Sequence, residues 1–428
     1  MLHAPPTALR TQRRFIARQR FNLLGALVAT AVLPFVLRAI ILPQDTFYAA
    51  SVNAFICNSL AVLIAFWVRL SIETYPGIRA THVILPSIVL AHATIVTILL
   101  LTRLPYDRLA LVAGFMAHIV WAYGLYMAVH RLIRHRIAIV PFGDVDRLKS
   151  VDSVDWHLMR EPTLDDAALC DGIVADFAAP DMPPEWEALM ADAAVHGRMV
   201  YQVKQLQESL TGRVAIDHLS ENSFGSLVPA RAYFHLKSAA DFVLAVAILP
   251  LALPVMAGIA LAIKLDSPGP VLFRQRRVGR AGEPFRMLKF RTMVHSGPSE
   301  GAVEEAITTD GDPRITHVGA RLRASRLDEL PQIFNILMGQ MSWIGPRPEA
   351  ESLSSWYTGE IPFYRYRHVV RPGISGWAQV NQGHVASVDE VNAKLQYDFY
   401  YVKYFSAWLD ILITFRTIRT MITGFGSR

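Results

Sequence analysis

The sequence predicts a membrane protein of mixed α and α/β class. A four-helix transmembrane bundle is expected over 1–136, a small degenerate Rossmann-like α/β domain over 137–230, and a mostly helical C-terminal domain with a re-entrant membrane helix hairpin over 231–428. Three observations carry this. Of 428 residues, 52% are hydrophobic and only 18% charged, whereas soluble domains hold about 25% charged residues. Apolar runs of about 20 residues, the length of a spanning helix, recur through the first third. Beyond 137 the pattern changes to short apolar segments set between polar ones.

The four runs lie at about 21–42, 48–70, 82–102 and 109–130. Several further spans follow the first and no small-residue cleavage site separates them, so a removed signal peptide is not expected. Orientation follows from the flanking cations. Arg10, Arg13, Arg14, Arg18 and Arg20 precede the first run, Arg69 and Arg79 follow the second, and Arg131, Arg134 and Arg136 follow the fourth. The alternate connections hold only Arg103 and Arg108. Both ends of the bundle are therefore expected on the cytoplasmic side.

The net charge of +6 is spread beside apolar runs and forms no separate basic stripe. This favours an anionic lipid surface as partner and argues against nucleic acid. Cys57 and Cys170 lack the spacing of a disulfide framework or a thiolate zinc site.

In the middle domain, strands are expected at 137–140, 172–177 and 198–203, with a helix near 184–196. The first strand runs into Pro141-Phe142-Gly143-Asp144, which lacks the glycine spacing that cradles a pyrophosphate. A structural or regulatory role is favoured over nucleotide binding.

The apolar run 242–263 is long enough to span yet contains Pro250 and Pro254, and proline inside a helix removes a hydrogen bond and kinks it. A true span would carry the eight Lys and Arg residues from Lys264 to Arg291 outside the cell. A re-entrant hairpin at about 238–265, kinked at Pro250 and Pro254, keeps them inside.

Downstream, Asp328 and Glu329 open the apolar helical pattern Leu330, Ile333, Phe334, Leu337. Carboxylates in a first helical turn are favoured by the dipole, which makes an acidic helix start one reading. The other is chemistry: neighbouring residues on a helix diverge by roughly 100°, so one carboxylate can attack while the other holds a metal. Fixed cations suited to phosphate oxygens are offered by Lys289, Arg291, Arg347 and Arg371. Any of these also fits a surface facing anionic lipid.

The segments that decide are Ser267-Pro268-Gly269-Pro270, Phe273-Arg274-Gln275, Lys289-Phe290-Arg291-Thr292-Met293 and Asp312-Pro313-Arg314-Ile315-Thr316. They continue through Leu327-Asp328-Glu329-Leu330-Pro331-Gln332, Gly345-Pro346-Arg347-Pro348, Arg371-Pro372-Gly373-Ile374-Ser375-Gly376-Trp377, and Asp398 with Tyr400-Tyr401-Val402-Lys403. In this order, 237–428 resembles the bacterial sugar transferases, the monotopic polyprenyl-phosphate glycosyl-1-phosphate transferases. The bundle and middle domain resemble, more loosely, the long members of that family.

The resemblance implies transfer of a sugar 1-phosphate from a UDP-sugar, UDP-glucose or UDP-galactose, to undecaprenyl phosphate, with release of UMP, at the inner membrane. It makes Asp328 the nucleophile of a covalent sugar-phosphoryl enzyme and Glu329 the Mg2+ ligand. It places Lys289, Arg347 and Asp398 in the active site, with Arg291, Arg371 and Gln332 as further substrate-binding candidates, and implies a homodimer. Two departures stand out. Relatives often kink the hairpin at a Ser-Pro pair, where this chain has Leu253-Pro254 and an extra Pro250, and Ser375 stands where Thr is usual. The tail 401–422 carries helical apolar spacing with a basic face, which suits either an interfacial anchor or packing on the core.

Three rivals fit parts of the pattern: a glycosyltransferase that releases UDP, an inactive scaffold for polysaccharide export, and a transporter. The last lacks acidic or basic residues deep in the four spans.

Overall fold

The computed structural model describes residues 19–41, 49–72, 81–130, 136–152, 154–214, 228–294, 314–382 and 388–423. Arg10, Arg13, Arg14, Arg18, Arg79, Arg131, Arg134, Asp312 and Pro313 lie outside the described residues. The chain divides into two units, Met1–Gly212 and Arg213–Arg428. Among the described residues five helices are long and apolar enough to cross a membrane: Arg20–Ile41, Ala49–Leu70, Ile84–Thr102, Arg108–Ala128 and Arg231–Asp266.

In the first unit, α1 (Gln19–Leu27) runs through a π turn (Val28–Val32) into α2 (Leu33–Ile41), followed by α3 (Ala49–Ile72), α4 (Thr81–Thr102) and α5 (Arg108–His130). Ala54, Ala61 and Ala65 of α3 meet Ala91, Ile95 and Leu99 of α4 in one buried cluster. Small residues let apolar helices approach closely where lipid removes the usual hydrophobic drive. The bundle also buries polar groups that a search for charged residues passes over. His92 and His118 are buried with ring centroids 5.5 Å apart, and His92 Nδ1 lies 3.0 Å from the Ile88 carbonyl.

The α/β part holds β1 (Arg136–Ile139), β2 (Asp155–Leu158), β3 (Gly172–Ala175), α6 (Pro184–Val195), β4 (Met199–Gln202) and α7 (Val203–Thr211). Its sheet is parallel in the order β2-β1-β3-β4. The first expected strand is shifted by one residue toward the N-terminus, the other two are each shorter by two residues, and β2 was missed. Its sequence, Asp-Trp-His-Leu, has a half-buried, edge-strand character instead of an apolar run. Alternate residues of β1 and β3 feed two cores, Ala138, Ile173 and Ala175 on one face and Ile137, Ile139 and Val174 on the other.

Open sheets of this order bind ligands outside the carboxyl ends of the strands at the switch point, here between β1 and β3. That crevice is taken by Asp176. Its Oδ2 accepts from the Asp144 backbone N–H (3.0 Å), and its Oδ1 accepts from the Ala178 N–H (3.1 Å) and Gln202 Nε2 (3.3 Å). Gly143, at φ +73°, packs against the same carboxylate.

The second unit begins with α8 (Arg231–Asp266), followed by the antiparallel hairpin β5 (Leu272–Val278) and β6 (Pro284–Phe290), with Arg280–Gly282 at its tip. Then come α9 (His317–Ser325), a 3-10 turn (Leu327–Glu329), α10 (Gln332–Leu337), β7 (Ser342–Ile344), α11 (Glu351–Glu360), a 3-10 segment (Tyr364–Val369), β8 (Gly373–Ser375), α12 (Trp377–Gln382), α13 (Val388–Lys403) and α14 (Ala407–Thr423). The core joins Ala245, Ala252, Met256 and Ile263 of α8 to Phe285, Met287, Leu322, Ile333, Ile336 and Met341.

The α8 segment is one helical element with Pro250 and Pro254 inside it, not two helices joined by a turn. Spaced four apart, the prolines remove two N–H donors and leave unbonded only the carbonyls that face them, which bends a helix without ending it. Both ends bond to the same unit. Near the start, Lys237 Nζ lies 2.6 Å from Asp410 Oδ2, and Ser342 Oγ donates to Asp241 Oδ2 at 2.6 Å. At the finish, Asp266 Oδ2 accepts from the Val318 N–H at 3.2 Å.

The tail is two helices, broken between Lys403 and Ala407. Leu409, Leu412 and Ile413 of α14 are buried while Ile418 and Met421 are exposed, so its first half packs on the core and its second half leaves an apolar edge open.

Candidate active site

Asp328 and Glu329 do not open a regular helix. They occupy the 3-10 turn Leu327–Glu329, and α10 starts only at Gln332. The cause is the preceding residue: α9 ends at Arg326 in a left-handed conformation (φ 56°), which reverses the chain, and Pro331 then has no N–H to continue a ladder. Behind the turn, Ile333 and Ile336 anchor α10 in the core. Asn335 of α10 accepts from the Leu288 N–H (3.0 Å) and donates to the Arg286 carbonyl (2.8 Å). Strand β6 is thereby fixed to α10, which sets Lys289 opposite the carboxylates.

Four of the expected residues converge. Lys289 Nζ donates to Glu329 Oε1 at 2.9 Å and lies 3.9 Å from Asp328 Oδ2. Arg347 Nη2 donates to the same Glu329 Oε1 at 3.1 Å. Both carboxylates are mostly buried, and burial raises the pKa of Asp328 with Lys289 opposing it. Burial also pushes Glu329 up, but Arg347 and then Lys289 outweigh it and hold that carboxyl at about 2. Burial lowers Lys289, with Glu329 opposing. Arg347 is raised, first by Glu329. The pair is unequal: among the described residues Glu329 is clamped by two cations, whereas Asp328 has one distant ion pair.

Arg347 owes its position to a rigid loop. The Gly345 N–H donates to the Ser375 carbonyl (2.9 Å), the Gly373 N–H to the Pro346 carbonyl (3.0 Å), Arg367 Nη2 to the Arg347 carbonyl (2.8 Å), and Arg277 Nη1 to the Pro348 carbonyl (2.8 Å). The loop and the Gly373–Gly376 segment touch backbone to backbone. A Cβ on Gly373 would meet Gly345 N at 2.1 Å, and one on Gly376 would meet Gly345 O at 2.4 Å. Only glycine permits that approach.

The other expected residues lie elsewhere. Asp398 is fully buried and pairs with Arg367 Nη2 at 2.8 Å, so it reaches the site only through Arg367 and the Arg347 carbonyl. Arg291 is buried, donating to the Pro268 and Ser267 carbonyls at 2.7 Å each, where it satisfies the chain leaving α8. Arg371 Nη1 donates to Ser238 Oγ at 2.8 Å, beside the start of α8. Gln332 is buried at the first position of α10 and makes no hydrogen bond to the carboxylates among the described residues. Sequence reasoning missed Asn335, Arg367 and Arg326. An Asn within the apolar run Ile333-Phe334-Asn335-Ile336 was a usable signal, since a buried amide needs partners; the other two had none.

Residues 232–424 match the family model described as bacterial sugar transferase. The chain is 43% identical over 384 residues, 90% of its own length and 90% of the relative's, to the UDP-N-acetylgalactosamine-undecaprenyl-phosphate N-acetylgalactosaminephosphotransferase of Aeromonas hydrophila. It is 46% identical over 185 residues, 43% of its length and 39% of the relative's, to the UDP-glucose:undecaprenyl-phosphate glucose-1-phosphate transferase of Escherichia coli. A protein of the same name from Caulobacter vibrioides is 41% identical over 203 residues, 46% of this chain and 74% of the relative.

Proposed function

This chain belongs to the bacterial sugar transferase family and is a polyprenyl-phosphate glycosyl-1-phosphate transferase; from that premise we propose that it works through a covalent intermediate on Asp328. The donor is a UDP-sugar, the acceptor undecaprenyl phosphate, the leaving group UMP, and the reaction opens assembly of a polysaccharide repeat unit. One observation carries this reading: the unequal tethering of the two carboxylates. A nucleophile must be free to move onto phosphorus, and a metal ligand must be held.

An Asp328 carboxylate oxygen attacks the sugar-bearing phosphorus, forming a P–O bond while the bond to the bridging oxygen breaks and UMP leaves. A phosphate oxygen of the lipid then attacks the same phosphorus, breaking the bond to Asp328 and restoring the carboxylate. Covalent catalysis divides one difficult exchange between anions into two steps. Lys289 and Arg347 supply fixed positive charge for the phosphate oxygens. Glu329 suits Mg2+, because only Oε1 is engaged by Lys289 and Arg347 and Oε2 has no protein partner among the described residues. Mg2+ commonly takes one or two carboxylates with phosphates and water completing its shell. When bound, it would offset the repulsion between the anions.

The sequence favoured UDP-glucose or UDP-galactose. The relative matching nine-tenths of both chains is named for N-acetylgalactosamine, whereas the E. coli and Caulobacter relatives, which match under half of this chain, are named for glucose. UDP-N-acetylgalactosamine therefore leads the donors in this proposal, with UDP-glucose second. Placement in the inner membrane with α8 re-entrant and the site facing the cytoplasm is supported by the anchoring of both α8 ends to one unit and by the basic residues around them. A homodimer and the three-part division at 136 and 230 remain part of the proposal on family resemblance.

The test uses the full chain in membranes with Mg2+, polyprenyl phosphate and a panel of UDP-sugars, reading UMP and UDP separately. UMP release and sugar-phosphoryl labelling of the protein are expected, and Asp328→Asn is expected to abolish both. UDP without UMP would point to a simple glycosyltransferase, and labelling that survives in Asp328→Asn would remove Asp328 from this role.

A further inference from the structure

A second cationic cluster lies at the start of α8, apart from Asp328, Glu329, Lys289 and Arg347. Arg280, exposed at the hairpin tip, sits with its guanidinium carbon 4.0 Å from the centroid of Phe234. The guanidinium carbon of Arg371 lies 5.2 Å from the same ring, and its Nη1 donates to Ser238 Oγ. The tip is built to hold Arg280 there. The Gly279 N–H donates to the Glu283 carbonyl at 2.8 Å, and both Ala281 (φ 60°) and Gly282 (φ 84°) are left-handed. A left-handed alanine is strained and persists only where its surroundings impose it.

Two guanidiniums on one ring repel each other, and burial together with Arg280 lowers the pKa of Arg371. Among the described residues neither arginine has a carboxylate partner. Asp241, which acts on Arg371 from a distance, is engaged by Ser342 Oγ at 2.6 Å and by Lys237 at 3.8 Å. Paired forks of N–H donors with no counter-ion match a tetrahedral oxyanion. The apolar run of α8 begins at Phe242. Phe242 and Val246, both exposed, continue the Phe234–Ser238 face at four-residue spacing. An anion held here would have apolar surface running away from it in one direction, as the headgroup of a lipid requires.

We propose that Arg280 and Arg371, closing on Phe234, bind the phosphate diester of a bilayer phospholipid whose acyl chains lie along Phe242 and Val246. The occupant is a resident lipid and not the acceptor, because neither arginine touches Asp328, Glu329, Lys289 or Arg347 among the described contacts. Its role is to hold the start of α8 at the interface.

The experiment is native mass spectrometry of the full chain in mild detergent with phosphatidylglycerol as probe. The wild type is expected to retain one phosphatidylglycerol. Arg280→Gln, at an exposed position that leaves the core intact, is expected to retain about tenfold less, and Arg280→Gln with Arg371→Gln less again. Equal retention by wild type and Arg280→Gln would overturn the proposal. Displacement of phosphatidylglycerol by stoichiometric polyprenyl phosphate would make this the acceptor's site, and displacement by millimolar inorganic phosphate would make it a site for free anions; either overturns the resident lipid. Turnover of UDP-sugar is read in parallel, so a failed lipid site stays distinct from a failed reaction scheme.

Discussion

Two groups of charges sit back to back across the Gly345–Glu349 loop, and they differ less in composition than in what is left open. At the front are Asp328, Glu329, Lys289 and Arg347; behind are Arg367, Asp398, Glu349 and Lys394. Each has two cations and two carboxylates. Yet the Arg347 side chain is 34% exposed and the Arg367 side chain 3%. Glu329 keeps an oxygen without a protein partner beside the partly exposed Arg347, whereas the oxygen that Asp398 leaves without a hydrogen bond is buried with Arg367 behind the loop. The front group can accept a substrate and the rear group can only hold the loop that carries Arg347. Unfilled bonding capacity at a solvent-facing position, more than the number of charges, marks the reactive group.

The strongest way to break this distinction is at Asp398. Removing one partner of a buried pair leaves an uncompensated charge, at about 3–5 kcal/mol. Asp398→Ala is therefore expected to lower stability by that order, read as a shifted denaturation midpoint, with lost activity following lost folded protein. A variant that stays fully folded yet loses turnover would move Asp398 into the reactive group.

Glu329→Gln should behave in the opposite manner. Removing a group that organises transition-state charge costs about 10²–10³ in kcat. The amide oxygen of Gln can still accept from Lys289 and Arg347, and Arg347 is 34% exposed, so unfolding should shift less than in Asp398→Ala. The measurement is kcat with a Mg2+ titration alongside thermal unfolding. A large fall in stability with kcat per folded molecule preserved would make Glu329 structural.

The front group was legible in the sequence because its members lie in short segments whose order identifies the family, and because adjacent acids at a turn are conspicuous. The rear group was not. Asp398 reads as an active-site residue until its partner is known, and that partner, Arg367, sits in the aromatic stretch Tyr364-Arg365-Tyr366-Arg367-His368 with nothing to single it out. Ion pairs formed by tertiary folding leave no periodic trace. The long apolar helices were legible for the converse reason, since length and apolar content decide them locally. The interior course of α8 was less so: two prolines announce a disturbance but do not say whether the helix bends or stops. Asp328 and Glu329 were placed one turn too late in their helix because a left-handed Arg326 is not expected of that residue type.

The smallest expected effect concerns pH and separates the groups by sign. Burial pushes Glu349 up from 4.5, but Lys394 and then Arg367 outweigh it and hold it at about 2. The unfolded chain therefore takes up this proton before the folded one does, and the stability Glu349 contributes is complete above about 4.5 and lost as pH falls toward about 2. Asp398 works in the opposite direction: burial raises its pKa despite Arg367, so its protonation favours the folded state and offsets part of that loss. The denaturation midpoint should decline gently between pH 4.5 and 3, and Glu349→Gln should lower the neutral-pH plateau while making the decline shallower. It should not remove it, because Glu329 is held equally low by Arg347 and Lys289. An unchanged slope in Glu349→Gln would mean that the rear group contributes nothing through ionisation, leaving its hold on the Arg347 loop to hydrogen-bond geometry alone.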